Sequence, residues 1–187
     1  MRKDANTPSW RQLKQRIATH DQKTLVALVG ELFDLSKSNQ DFLGARYAEE
    51  DTGPALKRYK DVVSEAIYPD LIYDRNARID FARARKAVSD FKRASRDPVQ
   101  ILDLMIHYVE IGTRLANDIG IDYESFYTSL ESMFESVIRM LKGKEKAYAE
   151  HFLPRLKKTV KRATDAWGYR DSLEDLLDEL TGSEGRA

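Results

Sequence analysis

The residues whose types and spacing could do chemistry lie close together in this chain. Asp103, His107, Glu110 and Arg114 follow one another at intervals of four, three and four, which on a helix sets a carboxylate, an imidazole, a carboxylate and a guanidinium along one strip. Such a strip could gather ligands for a metal ion, or hold a proton between an acid and a base. A di-iron bundle would take Glu-x-x-His from each of two helices. Here the order is reversed, His107-x-x-Glu110, and no second unit exists. His20 falls in a turn and His151 stands beside Glu150, with no spacing that ties either to His107. Asp103, His107 and Glu110 are thus candidates for a metal or small-ligand site, set against a plainer reading in which the four groups hydrogen-bond one another as a polar seam. No metal and no cofactor is expected.

Other chemistry is thinly represented. Zero cysteines exclude a disulfide scaffold, a thiolate zinc site and a cysteine nucleophile. Lys142-Gly-Lys-Glu-Lys146 lacks the glycine spacing and terminal Ser or Thr of a phosphate-binding loop. No Gly-x-Ser-x-Gly, His-Glu-x-x-His or dinucleotide fingerprint occurs. The expectation is a protein that is not an enzyme. Tyr108, Tyr123, Phe126 and Tyr127 read as core packing with hydroxyls reaching the surface, and Trp10 and Trp167 as anchors near helix ends.

Two helices are expected to present cations on one face. On a helical wheel from residue 75 to 96, Phe81, Ala84, Ala87, Val88, Phe91 and Ala94 share an arc. The complement holds Arg78, Arg85, Lys86, Lys92 and Arg93 among its cations. After Pro154 the pattern repeats, with Leu156, Val160, Ala163 and Trp167 opposite Arg155, Lys157, Lys158, Lys161 and Arg162. Such faces could meet an acidic protein surface or neutralise nucleic-acid phosphates. The basic arcs lack the aromatics of a base-stacking platform.

The elements that must position these groups read as helices almost throughout. Ser9 and Asp21 are expected to cap a first and second helix, forming a hairpin with Leu25, Leu28, Val29, Leu32 and Phe33 on one stripe. Asn39 is expected to cap a third. Asp51-Thr-Gly-Pro54 reads as a linker, giving an N-terminal unit over 1–52, a main helical domain over 53–182 and a disordered tail at 183–187. In the main domain, helices are expected from Pro54 to about Ala66, from Asn76 to Ser95, and from 98 to 118 with Asp97 as cap. Asp122 should cap a helix over Tyr123–Leu141. Another should run from Glu145 to Trp167, kinked or split at Pro154, and a last one over Ser172–Leu180. No segment alternates like a strand. The fold class expected is all-α, a bundle or short array of antiparallel hairpins with about eight to nine helices and no sheet.

The 187 residues suit one domain with an appendage, and their 31 basic and 31 acidic side chains cancel. That cancellation hides opposed blocks: residues 1–56 are neutral, 57–96 carry +5, 97–136 carry −7, 137–170 carry +7 and 171–187 carry −5. No stretch reads as a membrane span or leader, so a cytoplasmic location is expected.

Asp103-Leu-Met-Ile-His-Tyr-Val-Glu110, Phe126-Tyr-Thr-Ser-Leu-Glu-Ser-Met-Phe134 and Ala166-Trp-Gly-Tyr-Arg-Asp171, with the opening Leu13–Phe33, resemble an uncharacterised bacterial family of small helical proteins, a domain of unknown function. The resemblance covers most of the chain and implies an all-helical fold; it implies no activity and no cofactor. Taken together, these features lead to an expected module for protein–protein contact through its charged helix faces, with an unidentified protein partner and homo-oligomers as one form of it. Nucleic-acid binding through the faces at 75–96 and 155–162 is the alternative, and a metal or ligand site at His107 a third.

Overall fold

The computed structural model describes residues 8–47, 53–70 and 77–182. The expected tail at 183–187, residues 51–52 of the expected linker and the expected helix start at Asn76 lie outside the described residues. Those described form nine α-helices and two single 3-10 turns, with no strand. None of the helices is long and apolar enough to cross a membrane.

The chain divides after Leu43 into two compact units. In the first, helix α1 (Trp10–Ile17) opens on a reciprocal cap. The Gln12 side chain accepts from the Ser9 N–H at 2.9 Å, and the Ser9 hydroxyl accepts from the Gln12 N–H at 3.4 Å. Helix α2 (Gln22–Leu35) is capped by Asp21, which accepts from the Thr24 N–H at 2.7 Å. Asn39 does not cap helix α3 (Lys37–Tyr47). It lies inside the first turn, where its own N–H donates to the Ser36 hydroxyl at 3.2 Å and its amide donates to the Leu32 carbonyl at 2.6 Å. A serine three residues earlier satisfies the orphan donor first.

The second unit is built around helix α6 (Pro98–Ile119), in which eleven of 22 residues are buried. Asp97 accepts from the Val99 N–H at 2.9 Å and Pro98 occupies the first helical turn, where its missing donor is not needed. Helices α4 (Gly53–Ile67), α5 (Phe81–Ala94), α7 (Glu124–Lys142) and α8 (Ala149–Arg162) all pack on α6, and α9 (Tyr169–Thr181) packs on α7 and α8. The core they enclose includes Tyr108, Phe126 and Tyr127, as expected of the aromatic cluster, whereas Tyr123 is exposed. The buried Tyr127 hydroxyl donates to the Ile121 carbonyl at 2.8 Å.

Three boundaries differ from the sequence reading. Helix α5 starts at Phe81, because the Asp80 carboxylate accepts from the Arg83 N–H at 2.8 Å and its backbone N–H donates to the Ala66 carbonyl at 2.7 Å. Arg78 therefore precedes the helix. Asp122 makes no cap: Tyr123 takes the N-cap position of α7, without a side-chain bond. The stretch from Glu145 to Trp167 is a 3-10 turn (Lys146–Tyr148), α8 and a second 3-10 turn (Ala166–Gly168) rather than one helix. Pro154 does not split α8. The carbonyl it leaves without a helical donor is that of Glu150, an exposed residue, where the lost bond costs least. What stops α8 is Arg170, whose Nε and Nη2 donate to the Ala163 carbonyl at 2.8 and 2.5 Å. The chain then reverses through Trp167 at φ 56° and Gly168 at φ 68°. Only the second is conformationally cheap, since a side-chain residue in the left-handed region costs about 1 kcal/mol. Trp167 is 54% and Trp10 69% exposed, so neither anchors a core.

Candidate functional site

The strip on α6 is a network that draws in two further helices. Arg155 of α8 grips Glu110 with two parallel bonds, Nε to Oε1 at 2.8 Å and Nη2 to Oε2 at 2.7 Å, and its remaining nitrogen, Nη1, donates to Asp103. Lys60 of α4 donates to the other Asp103 oxygen at 2.7 Å. His107 Nε2 lies 2.8 Å from the Ser64 hydroxyl, also on α4. The four groups expected to bond one another do not. Arg114 stands apart, its guanidinium 5.2 Å from the Tyr68 ring centroid, while the Tyr68 hydroxyl donates to Asp118 at 2.8 Å. Both oxygens of Asp103 and both of Glu110 are taken instead by Arg155 and Lys60, cations that reach across from α8 and α4.

This geometry fixes the charges. Burial raises the Asp103 carboxyl, but hydrogen bonds from Lys60 and Arg155, with their positive charges, overcome it and hold Asp103 below its ordinary 3.8. Burial also lowers His107 below 6.5, helped by the nearby Lys60 charge and opposed by Glu110. The imidazole is therefore neutral at pH 7. Both Asp103 oxygens and both Glu110 oxygens already accept from cations, and among the described residues no three His, Asp or Glu side chains converge to hold a metal ion. As arranged, the seam can lock α4, α6 and α8 in register and keep a neutral imidazole at the head of a groove.

A pH dependence follows. Because His107 titrates below its unfolded value, the unfolded chain takes up the proton first as pH falls through 6.5, so His107 stabilises the fold above that pH and the gain is lost below it. His107→Gln, which keeps a polar partner for Ser64, should flatten the dependence of melting temperature on pH in the interval just below 6.5. A slope unchanged from that of the parent protein would show that another group titrates there.

Beyond the seam, α6 and α8 border an open groove of about 750 Å³. Its floor includes Ile111 and Pro154, and its sides carry Arg114, Asn117, Lys158 and Arg162. Lys157 and Lys161 lie outside it, exposed on α8. On α5, Arg85 donates to Ser129 at 2.8 Å, and the same hydroxyl lies 2.8 Å from the buried Tyr108 hydroxyl. Lys86 and Arg93 both pair with Asp90, at 2.5 Å each. Arg78 donates to the Ala77 carbonyl at 2.7 Å, and Lys92 is exposed. The two cationic faces do not merge. Arg85 meets the side of α6 that bears Tyr108, about 140° round the helix from Asp103 and the groove.

Sequence reasoning missed Lys60, Ser64 and Arg155 as members of the seam. A signal existed for the last: Arg155 lies three residues after Phe152 and four before Thr159, both buried, at the edge of the core arc rather than on the solvent face.

In the first unit the feature of note is apolar. Neither α1 nor α2 buries a single residue, and Trp10, Leu13, Val26, Val29, Leu32, Phe33 and Leu35 are all exposed.

Comparison with known proteins adds one relationship. No curated protein and no solved structure matches the chain. A family described only as a "Family of unknown function (DUF6155)" matches residues 9–181, spanning both units and every residue of the seam. The chain belongs to that family.

Proposed function

We propose that this protein works by protein–protein contact, and that the contact is made by the exposed apolar residues of α1 and α2 more than by the charged faces of the second unit. The observation that carries this reading is the exposure of the apolar residues of α2, on which α1 does not pack as the hairpin expected from the sequence. Val26 at 65% and Leu35 at 76% belong to a helix in which no residue is buried. Scattered exposed apolar residues are ordinary, but Val26, Val29, Leu32 and Phe33, exposed on one side of a single helix, mark a surface awaiting a partner. The flanking charge specifies the partner's chemistry. Helix α1 carries Arg11, Lys14 and Arg16 and no acidic residue, so the fitting occupant is an amphipathic helix with an apolar stripe and an acidic edge along α1.

Trp10 is a built-in reporter. In a Trp167→Phe background it is the one remaining tryptophan, and titration with a synthetic amphipathic helix bearing a leucine stripe and glutamate edge should shift its emission to the blue. The same peptide with a lysine edge should bind at least tenfold more weakly, and Val26→Glu with Leu32→Glu should abolish the shift. Equal binding of both peptides, or a shift that survives the double substitution, would overturn the reading. A mass that doubles with concentration in the absence of peptide would assign the face to a second copy of the chain.

A further inference from the structure

We propose that the groove between α6 and α8 is a binding site for a small phosphorylated organic anion, a phosphomonoester held by Lys158 and Arg162 from one wall and Arg114 from the other. Some of the charged groups in the groove already have partners. Four cations and two carboxylates line the groove. Glu110 is committed to the Arg155 fork, at 2.8 and 2.7 Å, and Asp118 accepts from the Tyr68 hydroxyl at 2.8 Å. Among the described residues no carboxylate pairs with Lys158 or Arg162. Those two are one helical turn apart on α8, so their heads reach the same space. Arg114 faces them from α6, its guanidinium resting on the Tyr68 ring at 5.2 Å, which orders the group and leaves its N–H edges for a ligand.

The geometry also sets the size and character of what binds. A volume of about 750 Å³ exceeds the needs of a bare inorganic ion and is in the range of organic ligand sites. The three lining cations that pair with no carboxylate among the described residues, Arg114, Lys158 and Arg162, match a dianion whose oxygens accept several hydrogen bonds at once. Ile111 and Pro154 supply apolar floor for the organic part, and Asn117, whose Nδ2 donates to the Arg162 carbonyl at 2.9 Å, keeps its side-chain oxygen as an acceptor for a ligand hydroxyl. The rigid Arg155 seam closes the far end with a neutral His107, whose ring makes no electrostatic demand on the ligand at pH 7.

The test uses the full chain with inorganic phosphate, a sugar phosphate, a nucleoside monophosphate and citrate as probes, read by calorimetry and thermal shift. The expected result is saturable binding of at least one phosphomonoester, tighter than that of inorganic phosphate. Affinity should fall at least tenfold in Lys158→Ala/Arg162→Ala and in Arg114→Gln. The charge-matched control Lys157→Ala/Lys161→Ala, outside the groove on the same helix, should bind like the parent. Absence of binding by every phosphomonoester, or an equal loss in both α8 pairs, would overturn the proposal; the equal loss would identify nonspecific attraction to a basic helix. Citrate binding as tightly as the phosphate esters would overturn the phosphate assignment. None of these outcomes bears on α1 and α2, which carry no groove residue.

Discussion

Arg155→Met should lower the unfolding free energy by about 2–4 kcal/mol, a larger loss than any substitution on the exposed faces of α5 should cause. The arginine is 29% exposed, and its partners Asp103 and Glu110 are 24% and 33% exposed. Removing it leaves the part-buried Glu110 without its fork and Asp103 with Lys60 alone, rather than deleting one surface pair, and surface pairs contribute only about 0–1 kcal/mol. For a chain of this length the expected fall in melting temperature is roughly 5–15 °C. Arg155→Lys keeps the charge but not the fork, because one ammonium cannot make two parallel bonds to Glu110 while reaching Asp103. It should recover part of the loss. The pH dependence separates lost charge pairing from lost packing. Asp103 in the parent protein is held below 3.8, so its contribution is complete above that value and lost as pH falls through the lowered one. Without Arg155 the Asp103 carboxyl keeps only Lys60 to hold it down against burial, so less of that contribution remains to be lost. The stability gap between parent and variant should therefore narrow on acidification; a gap constant with pH would mean that Arg155 acts through its aliphatic stem alone.

That network bears on what could be read from the residues themselves. The all-helical class and the caps at Ser9, Asp21 and Asp97 were legible because hydrophobic period and capping chemistry are local. The alternation of charge blocks was legible too, and it now has a structural reading in which basic 137–170 meets acidic 97–136 through Arg155 and acidic 171–187 through Lys142 and Glu179, 2.9 Å apart. The neutrality of the chain is thus partly internal. What no helical wheel could supply was which helix faces which. Lys60 and Ser64 belong to α4, more than 40 residues before Asp103 and His107, and nothing in their local pattern distinguishes them from solvent-facing neighbours. The failures at Asn39 and Asp122 have a different origin. Each is a competent cap, but Ser36 at one site and the Tyr123 backbone at the other took the position. The exposure of α1 and α2, which do not pack on each other, was hidden for the opposite reason: an amphipathic stripe looks the same whether its cover is in the same chain or elsewhere.

Gly112 explains how α6 can hold the seam on one face while meeting α7 on the other, and it yields the second large effect. It lies nine residues after Asp103, about half a turn round the helix from it. A Cβ added there would stand 2.3 and 2.8 Å from the two methyl carbons of Leu130 and 3.1 Å from its Cγ. Leu130 is fully buried, so its methyls would have to move within a packed core. Gly112→Ala should accordingly destabilise by about 1–3 kcal/mol through overpacking, despite the roughly 1 kcal/mol that alanine would gain over glycine in an unhindered helix. Leu130→Ala alone should cost about 2–5 kcal/mol by opening a cavity. The pair is the decisive measurement, since the added methyl in Gly112→Ala/Leu130→Ala occupies part of the space that the leucine leaves. The double variant should be more stable than the sum of the two losses predicts, with a coupling of about 0.5–3 kcal/mol. Strict additivity in urea unfolding would place the cost of Gly112→Ala in the backbone rather than in the contact between α6 and α7. A forced separation would also push α6 toward α4 and α8, where His107 and Ser64 are 2.8 Å apart. The single Gly112→Ala variant should then carry a changed pH dependence just below 6.5, the ordinary histidine value, and the double variant should restore it.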